Sequence, residues 1–390
     1  MENDECMSGG HAVTDANDSR EHIIPNSIGG RRKTKRFLCE TCNHKYGTSW
    51  DAELASQLNG LCHFFEVKRE RGEPPPESVT TTAGESLRLL PGGSLGLEKP
   101  NHKVEPAPGG DRIQIAARNM KEARKMLKGF KRKYPQIDID ATLAQAKPAT
   151  SYPEGMINIP VQIGGPLAGR AIVKSAAALA HECGISISTC EVAASYLRNT
   201  VTEPCFGYFN ASDLVLNRPQ GVPFHCVAIS GSPDTGLLLG YVEFFGFLRI
   251  VVLLSELYSG PAQSYAYAID PRTGYELVLN VRLAFSRKDI ADIFNYLCAD
   301  TSIFEQSASA VIGPAHAARS LRERNRVTRE AVEYAFKNCG AKEGDRLSEE
   351  HCARIAKLVA ERLAPFVANV LRPRPDPRNR LAPSHPSDKN

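Results

Sequence analysis

The sequence predicts an α+β protein, a compact amino-terminal module followed by a larger mixed α/β domain with an antiparallel-rich sheet and carboxy-terminal helices. Three observations carry that expectation. The first 71 residues hold four of the eleven cysteines, four of the ten histidines and the only tryptophan, and they end at the charged proline run Arg69 to Pro76. Such a run is a natural domain border. Residues 224–281 alternate short apolar runs with turn signals such as Ser232 to Gly236 and Asp270 to Gly274, as the hairpins of an antiparallel sheet do. Beyond Ser286 the apolar residues return at helical spacing. At 390 residues the chain has room for about two or three domains.

Residues 1–71 form the module. Residues 72–110 are Thr, Gly and Pro punctuated by Leu87, Leu89, Leu90, Leu95 and Leu97, which suits a linker or weak hairpin. A basic strand–helix segment over 111–150 follows. Ile113-Gln114-Ile115 alternates like a strand, and Met120, Ala123, Leu127, Phe130 and Tyr134 recur at steps of three and four up to Pro135. Nine Lys and Arg against two Asp and Glu between Asp111 and Tyr134 make this the strongest basic block of the chain. A solvated helix face and a contact to phosphates both remain open readings of it. Residues 151–371 form the α+β domain, with helices near 168–181 and 190–198, strands near 224–229, 237–242, 249–254, 265–269 and 276–281, and helices over 289–298, 317–339 and 348–371. Residues 372–390 carry five prolines and few apolar side chains, which predicts a disordered tail.

The net charge of +4 assigns any nucleic-acid affinity to local clusters rather than to a global field. An odd cysteine count and a start at Met1-Glu2-Asn3-Asp4-Glu5 without an apolar leader argue against a secreted disulfide framework and for a reducing cytoplasm. The apolar stretch 237–254 contains Glu243 and Arg249, so it reads as buried strands rather than a membrane span.

The chemistry gathers in Ser19-Arg20-Glu21-His22-Ile23-Ile24-Pro25-Asn26-Ser27-Ile28-Gly29-Gly30 and in Leu38-Cys39-Glu40-Thr41-Cys42-Asn43-His44-Lys45-Tyr46-Gly47. A carboxylate, Glu21, sits beside the imidazole of His22, whose ordinary pKa near neutrality lets it deprotonate a water. Asn43 offers a neutral oxygen. A carboxylate with an amide oxygen suits a hard divalent cation, Mg²⁺ or Mn²⁺, and leaves positions open for water and phosphate. Cys39 and Cys42 place two thiolates on one turn and pin the Asn43 segment against the His22 strand. Arg31, Arg32, Lys33, Lys35 and Arg36 put five cations in six positions on the expected loop between strand and knuckle, and next to such a site they suit phosphate contacts.

These residues resemble the HNH endonuclease family, whose ββα-metal motif runs (Asp/Glu)-His-Ile-x-Pro, a Gly-Gly turn, then Leu-Cys-x-x-Cys-(His/Asn)-x-x-x-Gly into a helix. The likeness covers roughly residues 6–60, and the rest of the chain carries no resemblance of its own. It implies His22 as general base, Glu21 and Asn43 as ligands of the catalytic metal, Lys45 at a phosphate, and a structural Zn²⁺. Two departures stand out. Cys6 is followed by Met7-Ser8-Gly9, so the second cysteine of its pair is missing. His11 substitutes in a Cys6, His11, Cys39, Cys42 set, the alternatives being no zinc or a different fourth ligand. Thr34 stands where the family often has the Asn that orients the catalytic His.

Of the remaining residues, His44 points about a hundred degrees away from Asn43 on a helix, so only one of the two faces His22, and Asn43 is preferred. Cys62, His63 and Trp50 read as packing, as do His181, Cys183, Cys190, Cys205 and Cys226. Arg319, Arg322, Arg324, Arg326 and Arg329 alternate with Glu323 and Glu330 and read as a solvated helix face. The expected function is a metal-dependent endonuclease acting on DNA with low intrinsic sequence specificity. The carboxy-terminal domain would target it or license it through a small-nucleotide or protein activator, in a setting such as bacterial defence. The alternative of a different class is a non-catalytic zinc-knuckle nucleic-acid-binding protein with a degenerate nuclease site.

Overall fold

A computed structural model describes residues 5–108, 110–146 and 151–373. The tail expected from Arg372 lies outside the described residues from 374 onward. Strands β1 (Asp18–His22) and β2 (Lys33–Cys39) are followed by α1 (Glu40–Gly47), α2 (Trp50–Gln57) and α3 (Asn59–Phe64). Strands β3 (Glu77–Thr81), β4 (Ser86–Leu89), β5 (Leu95–Leu97), β6 (Asn101–Glu105) and β7 (Arg112–Ala116) lead to α4 (Met120–Lys131) and α5 (Ile139–Ala144). After β8 (Ile157–Asn158) come α6 (Gly165–Glu182), α7 (Glu191–Leu197) and β9 (Phe206–Tyr208). Strands β10 (His225–Ser232), β11 (Leu237–Phe244), β12 (Leu248–Ser255), β13 (Gln263–Ile269) and β14 (Glu276–Leu277) precede α8 (Arg287–Phe294), α9 (Thr301–Asn338) and α10 (Glu349–Leu371). Among the described residues no helix is long and apolar enough to cross a membrane.

The chain divides into two compact units. The first comprises residues up to 77, 89–94 and 159–316, so the amino-terminal module and the large sheet share it. Its six strands run in the order β14-β13-β10-β11-β12-β9, antiparallel throughout. Every residue of β11 and β12 is buried, because both faces of the sheet are covered. The period of two sorts the side chains. Val227, Ile229, Val242, Ile250 and Val252 pack in one core with α6, α7 and the module. Ala228, Leu239, Tyr241, Val251 and Leu253 pack in a second core with Ile290 and Ile293 of α8. Helix α6 rides close on the sheet because β11 offers Gly240, where a Cβ would lie 2.7 Å from that of Ala176. That close seat leaves twelve residues of α6 between Ala168 and Ala180 buried beside Lys174.

Specific polar contacts tie the module to this core. His225, fully buried, donates from Nε2 to the Ile28 carbonyl at 2.8 Å and accepts at Nδ1 from the Phe245 amide at 3.2 Å. Burial lowers its pKa to about 4, which keeps it neutral in this role. Arg198, just after α7, donates to the carbonyls of Met7 and Cys6 at 3.0 and 3.3 Å. Beyond the sheet's core lies a balanced ionic knot in which Glu243 accepts from Arg218, Arg249 and Tyr241.

The second unit comprises residues 78–88, 95–158 and those from 317 onward. Segment 72–110, expected as linker or weak hairpin, folds into β3 to β6. Strands β5-β4-β3-β8 form one sheet and β6-β7 an antiparallel hairpin. Asn119 caps α4 by accepting from the Glu122 amide at 2.9 Å, and Leu127 is its buried contact, so the amphipathic reading of this helix holds. Its Lys121, Arg124, Lys125, Lys128 and Lys131 lie off that buried position. Helix α9 starts at Thr301 rather than near 317. Pro314 lies inside it and removes one backbone donor, but Phe304, Ala308, Val311, Ile312 and Ala315 pack on the core of the first unit and carry the helix through.

Candidate active site

The β1–β2 hairpin pairs Arg20 with Lys35, Glu21 with Thr34 and His22 with Lys33. Segment 33–36, expected in a loop, is therefore strand, and Thr34 is buried opposite Glu21. The turn needs its glycines: a Cβ on Gly30 would collide with the Ile24 carbonyl. Helix α1 begins where β2 ends, and the Cys39 thiol accepts from the Cys42 amide at 3.4 Å as its cap.

At the start of α1, Cys6, His11, Cys39 and Cys42 converge, with one ligand atom from each lying within 4.8 Å of all the others. The 6–11 turn is closed by the Cys6 amide on the His11 carbonyl at 2.7 Å and the Gly10 amide on the Cys6 carbonyl at 2.8 Å. His11 Nε2 lies 3.1 Å from Cys39 Sγ. Three sulfurs and one nitrogen at these separations suit tetrahedral zinc, whose thiolate ligands sit about 2.3 Å from the metal. Burial raises the Cys39 thiol, but the Cys42 amide and His11 outweigh it and bring the group down to about 7. Burial and the neighbouring sulfurs push Cys42 up to about 12. A bound cation is what lets all three be thiolates together.

Successive strand residues face opposite ways, and Glu21 and His22 do so. His22, 22% exposed, places Nε2 3.0 Å from Glu70 Oε2. Lys33 pairs with the same oxygen at 2.8 Å, and the Glu70 amide donates to Asn26 Oδ1 at 2.8 Å. Burial lowers the His22 pKa, with Lys33 assisting and Glu70 opposing, so its imidazole is neutral at pH 7. Hydrogen bonds from Lys33 and His22 hold the Glu70 carboxyl down at about 2.

Glu21 is buried and receives an ion pair from Lys174 of α6, which also pairs with Asp51 of α2 at 2.8 Å. Burial raises the Glu21 carboxyl above its ordinary value, with Asp51 adding to the rise, and Lys174 offsets it only in part. Burial would lower the Lys174 ammonium, but Asp51 and Glu21 together hold it above its ordinary value, so the lysine is charged. Asn43 donates from Nδ2 to Ser19 Oγ at 2.9 Å and to the Arg20 carbonyl at 3.4 Å. Among the described residues its Oδ1 accepts no hydrogen bond, and His44, its neighbour, is exposed. The Glu21 carboxylate and the Asn43 amide oxygen are hard donors, and Asp51, which shares Lys174 with Glu21, has its Oδ1 buried without a hydrogen-bond partner among the described residues. The donor chemistry fits a divalent cation such as Mg²⁺.

The basic residues divide. Arg31 donates to the Lys68 carbonyl at 2.9 Å, Arg32 pairs with Glu276 at 2.5 Å and lies over the Tyr267 ring, Lys33 pairs with Glu70, and Arg36 pairs with Asp15. Lys35 and Lys45 are exposed. Cys62 and His63 are fully buried and Trp50 stacks on Tyr46 with centroids 3.6 Å apart, all three as packing residues. His181 lies beside Phe37 and contacts the Lys35 carbonyl at 3.0 Å. Sequence reasoning missed Glu70, Asp51 and Lys174. The last had a signal, since a single charge inside the apolar run Ala171 to Ala180 has to find a buried partner.

A two-stranded hairpin leading straight into a helix, with a Cys/His knuckle at the junction, defines a ββα nuclease-like module. Residues 6–59 match the sequence model of the HNH endonuclease family, which makes this segment an HNH-like module and supports a nuclease-type function for it. No curated protein and no solved structure matches the chain.

Proposed function

We propose that the module is a metal-dependent endonuclease that hydrolyses phosphodiester bonds of DNA. The observation that carries this reading is His22, neutral at pH 7 and anchored at Nε2 by Glu70 on the partly open face of β1. With Nε2 donating to Glu70, Nδ1 is the basic nitrogen, free to take the proton of an attacking water. Glu70 remains a carboxylate and stabilises the imidazolium that results. Glu21 and Asn43 would hold the divalent ion, which when bound supplies positive charge to the scissile phosphate and the leaving oxygen. Lys35 and Lys45 add phosphate contacts without reading bases, which accounts for low sequence specificity. The rest of the chain would direct or license the cut.

Plasmid cleavage in Mg²⁺ or Mn²⁺, against chelator, tests the assignment. His22→Ala should lower the metal-dependent rate by about 10²- to 10⁴-fold with unchanged folding. A variant as active as the wild type sinks the reading. One observation favours a second reading: Lys174 on Glu21 suits a module that binds nucleic acid without cutting it. DNA binding with no cleavage in any divalent metal would select that one.

A further inference from the structure

Lys174 is the lone charge in the apolar run Ala171 to Ala180 of α6, is 1% exposed, and bonds both Glu21 and Asp51. Two carboxylates thus share one ammonium. With both carboxyls ionised the centre is one positive charge short, and among the described residues Asp51 Oδ1 is buried in it without a hydrogen-bond partner. A buried ion pair kept only for architecture is expected to balance its charge and satisfy its lone pairs, as the Arg218, Arg249, Asp213 and Glu243 knot of the same unit does with two cations and two anions. The Glu21 centre does not. A divalent cation in place of the ammonium would balance both carboxylates.

Resting on the reading of Glu21 as a metal ligand, we propose that the Lys174 ammonium occupies the cation position at Glu21 and competes with the divalent metal. Helix α6 then gates metal loading. A metal on Glu21 and an ammonium on the same carboxylate would lie a few ångströms apart in a poorly solvated site, where like charges repel strongly. Metal entry therefore requires Lys174 to withdraw from the carboxylates that the metal takes over. The close seat of α6 on the sheet at Gly240 fixes where the ammonium sits, so a displacement of α6 changes the affinity of Glu21 for metal.

The test is Mn²⁺ binding to the zinc-loaded full chain, followed by calorimetry and by electron paramagnetic resonance, with Glu21→Gln as the control that removes the site. Lys174→Met should bind Mn²⁺ about tenfold or more tightly than the wild type, a gain of about 1.4 kcal/mol, whereas Lys174→Arg should not. Equal or weaker binding by Lys174→Met, with wild-type binding measurable and abolished in Glu21→Gln, overturns the competition and leaves the nuclease reading standing. No Glu21-dependent Mn²⁺ binding in wild type or variant overturns both. Should Lys174→Met fail to fold, amide exchange of the wild type decides: Mn²⁺ should speed exchange across 165–182, and unchanged or slowed exchange there on Mn²⁺ binding overturns the proposal.

Discussion

Two clusters built to surround a positive charge lie on the same hairpin and helices, and they differ in where that charge comes from. Cys6, His11, Cys39 and Cys42 bring three sulfurs and an imidazole together with no side-chain cation among them. Glu21 and Asp51 already hold the ammonium of Lys174. The first cluster is soft and leaves its charge to an ion from solution, so the folding of the 6–11 turn and the start of α1 is linked to metal. The second is hard and has a cation supplied by the chain itself, so it folds without metal, and its occupancy is free to depend on helix packing. On the proposed reading, one module thus separates a metal that builds from a metal that reacts.

The largest effect that would break this contrast is expected at Cys39. Cys39→Ser removes a ligand while keeping a side chain able to cap α1, and should forfeit a large part of the roughly 10 kcal/mol that a structural zinc contributes. Zinc content after dialysis and amide exchange over 6–47 should both show the loss; a variant that retains one zinc per chain and wild-type exchange would refute the ligand set. A chelator strong enough to strip zinc should reproduce the variant, whereas removal of Mg²⁺ should leave the melting temperature nearly unchanged.

A smaller effect concerns the open face of β1. In the proposed mechanism His22 acts as a base when neutral, so the cleavage rate should rise with pH through its lowered pKa and be level above neutrality. Glu70 opposes that lowering. Glu70→Gln should therefore move the acid limb of kcat/KM to still lower pH while reducing the plateau, because the imidazole loses its anchor. A limb that stays in place or moves up would remove Glu70 from the mechanism. The smallest effect is expected from Lys35→Ala with Lys45→Ala. The slope of log affinity against log salt should fall by about 0.9 for every phosphate the protein ceases to neutralise. DNA binding at several salt concentrations should therefore show the double variant flatter by at most about two, and an unchanged slope would place DNA elsewhere.

Much of the module was legible because its chemistry is local. Glu21 and His22 are adjacent, Cys39 and Cys42 are one helical turn apart, and His11 as the substitute for a missing cysteine followed from its place five residues after Cys6. The structure brings those four ligands together. The strands of the large sheet were legible from their turns, and α4 from its spacing. What stayed hidden depends on long-range pairing. Nothing within the module indicates that Glu21 finds a lysine 153 positions later, or that Glu70, at the edge of a proline run, folds back 48 positions to His22. The run 31–36 read as a loop because its charges masked the strand, and pairing with β1 is what orders Lys33 to Arg36. Helix α9 starts at Thr301 instead of near 317, because burial of Val311, Ile312 and Ala315 around Pro314 outweighs the one backbone hydrogen bond that proline cannot make. That the module and the sheet fold as one unit follows from contacts such as His225 with Ile28, which no border in the sequence announces.

The stacking of Trp50 on Tyr46 has an optical consequence. The chain has a single tryptophan, it is buried at the first turn of α2, and its neighbour in sequence is Asp51, one of the two carboxylates that grip Lys174. The tryptophan emission of the whole protein therefore originates beside that grip, reporting on the α1–α2 junction with no label attached.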